Sequence, residues 1–437
     1  MTVETRSVCL REWETLSPSN CDKLRGFFLD SSSEVRDSVD RLRELKLLDI
    51  TELRQGTELR AFSHVGRLTL GSLSLSILPK IKGESLVRLL RYAYGFRRLT
   101  LLSASSQCVD EYGLEDLLIS QLNAEIEELI HRGLLRSYVM QSEQLPSPRG
   151  RIDINRLAMK KGQATASLPC KHYPRIVDTP LNRVLLAGLQ LAASMSSDIE
   201  LRRESRRLAS LLQEQVSEKV LDVSVLEKAN RQMNRLTEAY SPALKIIHLL
   251  HEAQGVSLHG QFTRLPFRGY LFDMNAFFQS LLSRFLRENL DGFSVRDEFP
   301  LKEMLRYSPE FNPQRAKPPT PRPDYVITDR GITRAILDAK YRDLWKNTLP
   351  REMLYQLVVY AISHPGNPQS TILYPSTDGA ATEARIEVAD SLYGRKLGRV
   401  CIRPVHLQTL LEVVTANGDS GRRRRSEYAR FLAFGKN

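Results

Sequence analysis

The sequence predicts a multidomain α+β protein with a β-rich N-terminal domain, a helical middle domain and a C-terminal α/β domain around a mixed sheet. Apolar residues alternate along parts of 59–81, and glycines interrupt them, which indicates short strands. Helical periodicity dominates the middle of the chain, for example at 115–135 and 181–195. At 325–340 two apolar runs flank a turn, which predicts a hairpin. The predicted domains are 1–110, 111–262 and 263–437.

Each domain has its own elements. In the N-terminal domain the spacing predicts helices at 34–48 and 86–94, on either side of the strands. The middle domain is predicted to be mostly helical. A proline-containing segment, 141–149, is expected to form a surface loop. The further helices predicted in the middle domain are 181–195, 199–216 and 225–240.

The C-terminal domain is predicted from its order of elements. Tyr325 begins a run rich in β-branched residues, and Asp329-Arg330-Gly331 has the composition of a tight turn. The run 333–340 then forms the return strand. A helix at 274–287 and a strand at 293–299 precede this hairpin. A helix that ends near Ser363 and a strand at 370–374 follow it.

Two acidic residues and one lysine meet at the open end of this hairpin. Asp324 precedes the first strand, and Asp338 and Lys340 share one face of the second. Strands lie about 4.8 Å apart, so both carboxylates can reach one cation. Mg²⁺ prefers such oxygen ligands, with the Ala339 carbonyl as a further candidate. Lys340 would orient the attacking water or help to deprotonate it. The alternative for the whole segment is an ordinary hairpin with two solvated carboxylates.

The helix after the hairpin contributes two further candidates. Gln356 and Tyr360 lie four residues apart, on one helix face. Gln356 is a candidate to hydrogen-bond Lys340 or a phosphate, because an amide beside apolar residues requires partners. Tyr360 either supports Gln356 or packs in the core.

Residues 263–405 resemble the PD-(D/E)xK nuclease superfamily, in the version with a Gln-x-x-x-Tyr helix. Over most of its length, the chain is similar to the McrC family, the nuclease subunits of McrBC modification-dependent restriction systems. The further segments that carry this resemblance are His64-Val65-Gly66-Arg67-Leu68, Leu75-Ser76-Ile77-Leu78-Pro79-Lys80-Ile81, Arg149-Gly150-Arg151-Ile152-Asp153 and Asp178-Thr179-Pro180-Leu181-Asn182-Arg183.

The resemblance implies an Mg²⁺-dependent DNA endonuclease subunit. Residues 1–110 would dock on McrB, an AAA+ GTPase ring, and stimulate its GTP hydrolysis. The sequence has no Gly-x-x-x-x-Gly-Lys-[Ser/Thr] motif, so an NTPase motor would be a separate polypeptide. One site cuts one strand, so a double-strand break requires two complexes brought together.

One position departs from the family pattern. Family members have the form Met-Asn-x-x-Phe-Glu in the helix before the hairpin, whereas this chain has Gln279 after Met274-Asn275-Ala276-Phe277-Phe278. The neutral amide is a poorer ligand for a hard cation than a carboxylate. This difference leaves a second hypothesis, an adaptor that activates a partner NTPase without cutting DNA. A third hypothesis is a stand-alone nuclease or a transposon-end nuclease.

The composition indicates a cytoplasmic protein that binds nucleic acid. The net charge is +12, and basic proteins bind polyphosphates through counterion release. No signal peptide or membrane span is expected. The 5 cysteines are scattered, which predicts neither disulfides nor a structural zinc site. Two basic segments have two interpretations each. The proline-rich loop 308–322 either guides DNA or connects elements, and 422–425 either binds phosphate or forms a solvated helix start.

Overall fold

The computed structural model describes residues 6–30, 32–81, 83–95, 114–159, 166–258, 261–264, 268–302, 304–364 and 366–435. Contacts divide the chain into two compact units. Unit 1 comprises Met1–Leu99, Ala104–Asp110 and Leu271–Asn437, and unit 2 comprises Thr100–Ser103 and Glu111–Tyr270. Unit 1 thus joins most of the two segments that the sequence division assigns to separate first and last domains. The three-domain division stays a prediction.

The described residues form both helices and several sheets, which confirms the mixed α+β class. The strands are β1 (Arg6–Arg11), β2 (Thr15–Leu16), β3 (Leu48–Leu53), β4 (Gly56–Ala61), β5 (His64–Leu70), β6 (Leu73–Leu78), β7 (Ser137–Tyr138), β8 (Gln141–Leu145), β9 (Arg151–Ile152), β10 (Leu168–His172), β11 (Arg175–Ile176), β12 (Gly255–Leu258), β13 (Gln261–Arg264), β14 (Arg268–Asp273), β15 (Ser294–Asp297), β16 (Tyr325–Asp329), β17 (Ile332–Ala339), β18 (Gln369–Ser376), β19 (Ala384–Ala389) and β20 (Lys396–His406).

Each predicted helix overlaps a helix of the structure. The helices are α1 (Ser33–Glu44), α2 (Gly83–Tyr94), α3 (Leu114–Arg132), α4 (Ile154–Ala158), α5 (Pro180–Met195), α6 (Ile199–Gln213), α7 (Val223–Arg231), α8 (Ser241–Ala253), α9 (Met274–Asn289), α10 (Arg351–Ile362), α11 (Leu407–Thr415) and α12 (Gly418–Phe434). No boundaries were predicted for α4, α8, α11 and α12.

A six-stranded mixed sheet forms the C-terminal part of unit 1, in the order β15–β16–β17–β18–β20–β19. The β15–β16 and β16–β17 pairs are antiparallel, whereas β17, β18 and β20 run parallel. Apolar residues of α10 pack against β17, β18 and β20 in one buried cluster, which includes Ile336, Leu357, Tyr360, Ile372 and Val400. Both α9 and α12 contact β17. The central strands are nearly continuous apolar runs because helices cover the sheet.

The predicted hairpin is present with the predicted turn. Arg330 and Gly331 both have positive φ, 49° and 82°. This is the geometry of a two-residue type I′ turn, whose twist matches that of the flanking strands. The turn alone would place Tyr325 opposite Ile336, but a β-bulge between Ile327 and Thr328 shifts the pairing by one residue and sets Tyr325 opposite Leu337. Extending the register by one residue places Asp324 beside Asp338.

The N-terminal part of unit 1 contains two small sheets. In one, β1 runs parallel to β6, and β6 pairs antiparallel with β5. In the other, β4 pairs antiparallel with both β2 and β3. Alternate residues of β6 are buried, as the sequence periodicity predicts.

Helices α3 to α8 form most of the regular structure of unit 2, but the unit also contains strands that the sequence did not predict. Three strands, β8, β10 and β9, form an antiparallel sheet, and β8 replaces the predicted loop at 141–149. Strand β8 has the sequence Gln-Ser-Glu-Gln-Leu. None of its residues is buried, so the strand needs no alternating apolar residues and shows none. Its backbone hydrogen bonds to β10 determine the strand.

The helix predicted at 225–240 is also wrong in its C-terminal half. Helix α7 ends at Arg231, and a short 3-10 turn follows at Glu238–Tyr240. The Asn234 side chain accepts hydrogen bonds from the backbone N–H groups of Leu236 and Thr237. Such local side-chain bonds compete with helical hydrogen bonds and end the helix.

Membrane spans and disulfides can be assessed in the described part of the chain. There, no helix is long and apolar enough to cross a bilayer. The four described cysteines, Cys9, Cys21, Cys170 and Cys401, are free thiols. Cys108 lies outside the described residues.

Candidate active site

The open end of the β16–β17 hairpin brings Asp324, Asp338 and Lys340 together. The Lys340 Nζ atom lies 2.8 Å from Asp338 Oδ2 and 3.4 Å from Asp324 Oδ2. The backbone N–H of Ala339 donates to Asp324 Oδ2 at 2.7 Å, so Asp324 is held against β17. Two carboxylates therefore share one ammonium group, as the hairpin geometry predicts.

Burial makes this cluster electrostatically unusual. Asp338 is 2% exposed, and burial raises the pKa of its carboxyl to about 6, with the negative charge of Asp324 adding to the rise. Burial lowers the pKa of Lys340, but the charges of Asp338 and Asp324 outweigh burial and raise it above its ordinary value. Lys340 therefore remains an ammonium group at neutral pH. The cluster concentrates charge in a site of low solvent access.

One carboxylate oxygen has no hydrogen bond. Asp338 Oδ1 is buried and has no partner among the described residues. A buried acceptor without a partner is costly, and such atoms often mark a bound water or ion. The adjacent Ala339 carbonyl accepts a hydrogen bond from Lys340 Nζ at 3.4 Å, so it also borders the ammonium group.

These donors fit a hard divalent cation such as Mg²⁺. Asp324, Asp338 and the Ala339 carbonyl offer only oxygen atoms, and Mg²⁺ commonly takes one or two carboxylates with water and phosphate oxygens. Within the described ranges no group of three or more His, Cys, Asp or Glu side chains could hold a metal ion. The protein therefore supplies few ligands, and waters and a substrate phosphate would complete the coordination.

Helix α10 places Gln356 and Tyr360 beside the cluster, but with a different bond from the predicted one. Gln356 Nε2 donates to Tyr360 Oη at 2.6 Å. Tyr360 Oη donates in turn to the carbonyl of Arg322 at 2.9 Å. Burial raises the pKa of Tyr360, and the charges of Asp338 and Asp324 contribute. Tyr360 thus both packs in the core and holds Gln356 and the residue two positions before Asp324.

Gln279 lies on α9, where the family pattern has a glutamate. Its backbone carbonyl accepts a hydrogen bond from Tyr325 Oη at 2.7 Å. Tyr325 is the residue after Asp324, so this part of α9 lies next to the start of β16. The backbone of the residue that departs from the family pattern thus contacts the side chain of the residue after Asp324.

Comparison with known proteins identifies the family. The family model for the McrBC 5-methylcytosine restriction system component matches residues 59–375, well over half of the chain. The chain belongs to the McrBC family. This confirms the resemblance to McrC proteins, and the matched range includes the predicted site residues Asp324, Asp338, Lys340 and Gln356.

Solved structures resemble this McrBC-family chain along most of its length. A half-complex from a tetradecameric assembly of Thermococcus gammatolerans McrB AAA+ hexamers with bound McrC matches with a TM-score of 0.59 and 18% identity. That match covers 97% of this chain and 99% of the other, and it establishes a shared fold. The Thermococcus gammatolerans McrBC complex also matches, with a TM-score of 0.45, 19% identity and coverage of 67% and 89%. No curated protein matched.

Proposed function

We propose that this chain is the DNA endonuclease subunit of a McrBC-like modification-dependent restriction complex, and that it hydrolyses phosphodiesters with Mg²⁺. The convergence of Asp324, Asp338 and Lys340 carries this proposal. Both carboxylates lie within 3.4 Å of the same ammonium nitrogen, and one buried oxygen of Asp338 has no partner among the described residues. Buried, strongly perturbed groups of this kind are typical of catalytic sites.

Each residue has a distinct role in the proposed reaction. Asp324 and Asp338 would hold Mg²⁺, which supplies polarisation of a phosphoryl oxygen and activation of water when bound. Lys340 orients the attacking water and places positive charge beside oxygens that become more negative in the transition state. Gln356 is exposed on α10 and donates to the phosphate with its remaining N–H. Tyr360 fixes the direction of that amide.

The order of elements supports assignment to the PD-(D/E)xK superfamily. Helix α9 precedes β15, the β16–β17 hairpin follows, and then come α10 and β18. Asp338 lies on β17, Asp324 directly precedes β16 and Lys340 directly follows β17. Gln356 and Tyr360 lie on the next helix. The residues that the resemblance implies for the site are close together in the structure, which supports the proposed roles.

The proposed partners are DNA and an AAA+ GTPase ring similar to McrB. The fold match to McrC bound to McrB hexamers supports this proposal. The sequence has no ordinary P-loop, so GTP hydrolysis belongs to the partner. Since one site cuts one strand, a double-strand break requires two complexes that come together on the DNA.

A cleavage assay with the full chain, its co-encoded GTPase, GTP and Mg²⁺ tests the proposal on methylated and unmethylated DNA. We expect Asp338→Asn and Lys340→Ala to lower the cleavage rate by at least about a hundredfold. The matched control is Asp329→Asn, which changes an aspartate at the opposite end of the same hairpin. Asp329 pairs with Arg334 at 3.0 Å and should be dispensable for cleavage.

Folding and partner binding of each variant are checked by thermal melting and by co-sedimentation with the GTPase. Cleavage at the wild-type rate by correctly folded Asp338→Asn protein would remove the proposed site. A loss of cleavage in Asp329→Asn equal to that in Asp338→Asn would show that the assay reports hairpin integrity rather than chemistry.

The second candidate function is an adaptor that activates the partner GTPase without cutting DNA. Gln279 favours this candidate because it lies where a third carboxylate is expected, and the described residues offer only two carboxylates at the site. If the chain is an adaptor, the wild-type protein and the Asp338→Asn variant should stimulate GTP hydrolysis equally well. It would also produce no DNA cleavage with any divalent cation.

A further inference from the structure

The residue after Lys340 is held almost entirely by side chains. Strand β17 ends at Ala339, and the chain turns at once, with the Arg342 N–H donating to the Lys340 carbonyl at 2.8 Å. Tyr341 is 3% exposed. Its backbone N–H, its carbonyl and its hydroxyl each have a side-chain partner. The partners are Asn275, Trp13 and Glu12, and two of these lie more than 300 positions away in the sequence.

Glu12 connects Tyr341 to the N-terminal sheet. Tyr341 Oη donates to Glu12 Oε1 at 2.9 Å, and the Lys80 N–H donates to the same oxygen at 2.6 Å. Glu12 is 1% exposed, and its Oε2 atom has no hydrogen-bond partner among the described residues. A carboxyl group buried with one oxygen unpaired is costly, so the contact with Tyr341 is maintained at the expense of stability.

Trp13 forms the second connection. Its Nε1–H donates to the Tyr341 carbonyl at 3.0 Å, and the Arg342 guanidinium lies 5.4 Å from the centre of its ring system. Trp13 has a φ of 62°, in the left-handed region that large side chains rarely adopt. Strained residues persist where the surrounding contacts determine their conformation, and they concentrate at functional sites.

Asn275 forms the third connection, from helix α9. Its Oδ1 accepts from the Tyr341 N–H at 3.0 Å, and its Nδ2 donates to Ser63 Oγ at 2.7 Å. The Ser63 carbonyl accepts from the Met274 N–H at 3.1 Å, at the start of the same helix. We refer to Glu12, Trp13, Ser63, Asn275 and Tyr341 as the Tyr341 network.

We propose that Glu12 and Trp13 are positioning residues for Lys340, and that they act through Tyr341. Lys340 is covalently bonded to a residue whose three polar groups are fixed, so its Cα position depends on the N-terminal strands as well as on β17. The N-terminal part of unit 1 is then part of the cleavage-site scaffold and not only a docking surface. This inference rests on the proposed nuclease function for its kinetic consequences.

The test uses variants of the full chain with single substitutions in the Tyr341 network. Glu12→Ala removes the acceptor for both Tyr341 and Lys80, whereas Glu12→Gln keeps an acceptor oxygen there. Trp13→Phe removes the indole N–H and part of the ring system, and keeps one aromatic ring. Tyr92→Phe is the matched control, because Tyr92 Oη donates to Glu288 Oε2 at 2.7 Å and also joins the N-terminal segment to α9.

Two readouts are measured for each variant. The first is amide hydrogen exchange of a peptide spanning 338–342, which needs no DNA, metal or partner. The second is the single-turnover cleavage rate at saturating DNA, with DNA affinity measured separately in Ca²⁺. Small displacements of a catalytic group can lower rates about a hundredfold without changing binding.

We expect Glu12→Ala and Trp13→Phe to speed exchange at Lys340 and Tyr341 and to slow cleavage at least about tenfold, with DNA affinity unchanged. Glu12→Gln and Tyr92→Phe should match wild type in both readouts. Wild-type exchange at these amides in Trp13→Phe and in folded Glu12→Ala would overturn the inference, as would an equal effect of Tyr92→Phe. If wild type cuts no DNA, the proposed function fails, and the exchange data still decide the positioning.

Discussion

Two acid–base pairs in this molecule have opposite designs. In unit 2, Asp178 accepts hydrogen bonds at both oxygens, from the Arg183 guanidinium at 2.6 and 2.7 Å and from the N–H and hydroxyl of Ser217. In unit 1, Asp338 has one oxygen 2.8 Å from Lys340 Nζ and a second with no partner among the described residues.

The electrostatic consequences of the two pairs are opposite as well. The bonds from Arg183, and next those from Ser217, hold the pKa of Asp178 well below its usual range despite some burial. Burial and Asp324 instead raise the pKa of Asp338 to about 6. A fully paired carboxylate stabilises its fold, whereas an incompletely paired buried carboxylate costs stability. The difference is the one expected if Asp178 stabilises the fold and Asp338 has the functional role proposed above.

The same substitution at the two aspartates should have opposite effects on stability. Asp178→Asn places an amide N–H₂ against hydrogen-bond donors and removes the charge that pairs with Arg183. We expect the free energy of unfolding to fall by about 3 kcal/mol. Asp338→Asn should leave it unchanged or raise it, because a buried charge that Asp324 repels is removed. Chemical denaturation in EDTA measures both, and a similar loss in both variants would erase the distinction.

Glu12 is a third carboxylate. One of its oxygens accepts two hydrogen bonds and the other has no partner among the described residues, and its burial predicts a pH dependence. Burial raises its pKa from 4.5 to about 7, although the bonds from Lys80 and Tyr341 lower it. The folded state therefore binds more protons than the unfolded state between these values. The stability that Glu12 contributes is complete below pH 4.5 and is lost as the pH rises through about 7.

We expect this loss to be about 2–3 kcal/mol in wild type and to be absent in Glu12→Gln. The free energy of unfolding is measured at a series of pH values from 4 to about 8 for both proteins, and the difference between the two curves is taken so that other titrating groups cancel. A difference that stays constant across this range would mean that Glu12 titrates normally.

Gln279 offers the smallest of these effects. Gln279→Glu restores the residue of the family pattern, and an added carboxylate near the site should tighten Mg²⁺ binding by about tenfold. The control is Ser280→Glu, because adjacent helical residues point about 100° apart. Equal tightening in both variants would indicate a general effect of charge, and no tightening in either would show that Gln279 does not face the cation.

Local patterns predicted the hairpin and the meeting of its acidic residues. The β-branched run after Asp324 and the Asp-Arg-Gly turn predict the hairpin. The register that places Asp324 beside Asp338 also depends on a β-bulge between Ile327 and Thr328, which no local pattern predicted. Gln356 and Tyr360 lie on one helix face, as their spacing predicts, and the hydroxyl of Tyr360 accepts from Gln356 and donates to the Arg322 carbonyl. A bond from Gln356 to Lys340 or to a phosphate stays a prediction.

The Tyr341 network was not predicted, because its partners come from segments far apart in the sequence. Glu12 looks like an ordinary charged residue before a short strand, and only the folded arrangement brings it to Tyr341. One local signal existed, an aromatic residue directly after Asp-x-Lys. The polar strand β8 was missed for a related reason, since its pairing with β10 leaves no apolar pattern.

Calorimetric titration of Mg²⁺ into the full chain tests the central claim most directly. We predict saturable binding to wild type and to Asp329→Asn, and none to Asp338→Asn. Undiminished binding to Asp338→Asn, or no binding to wild type, would contradict a cation site between Asp324 and Asp338.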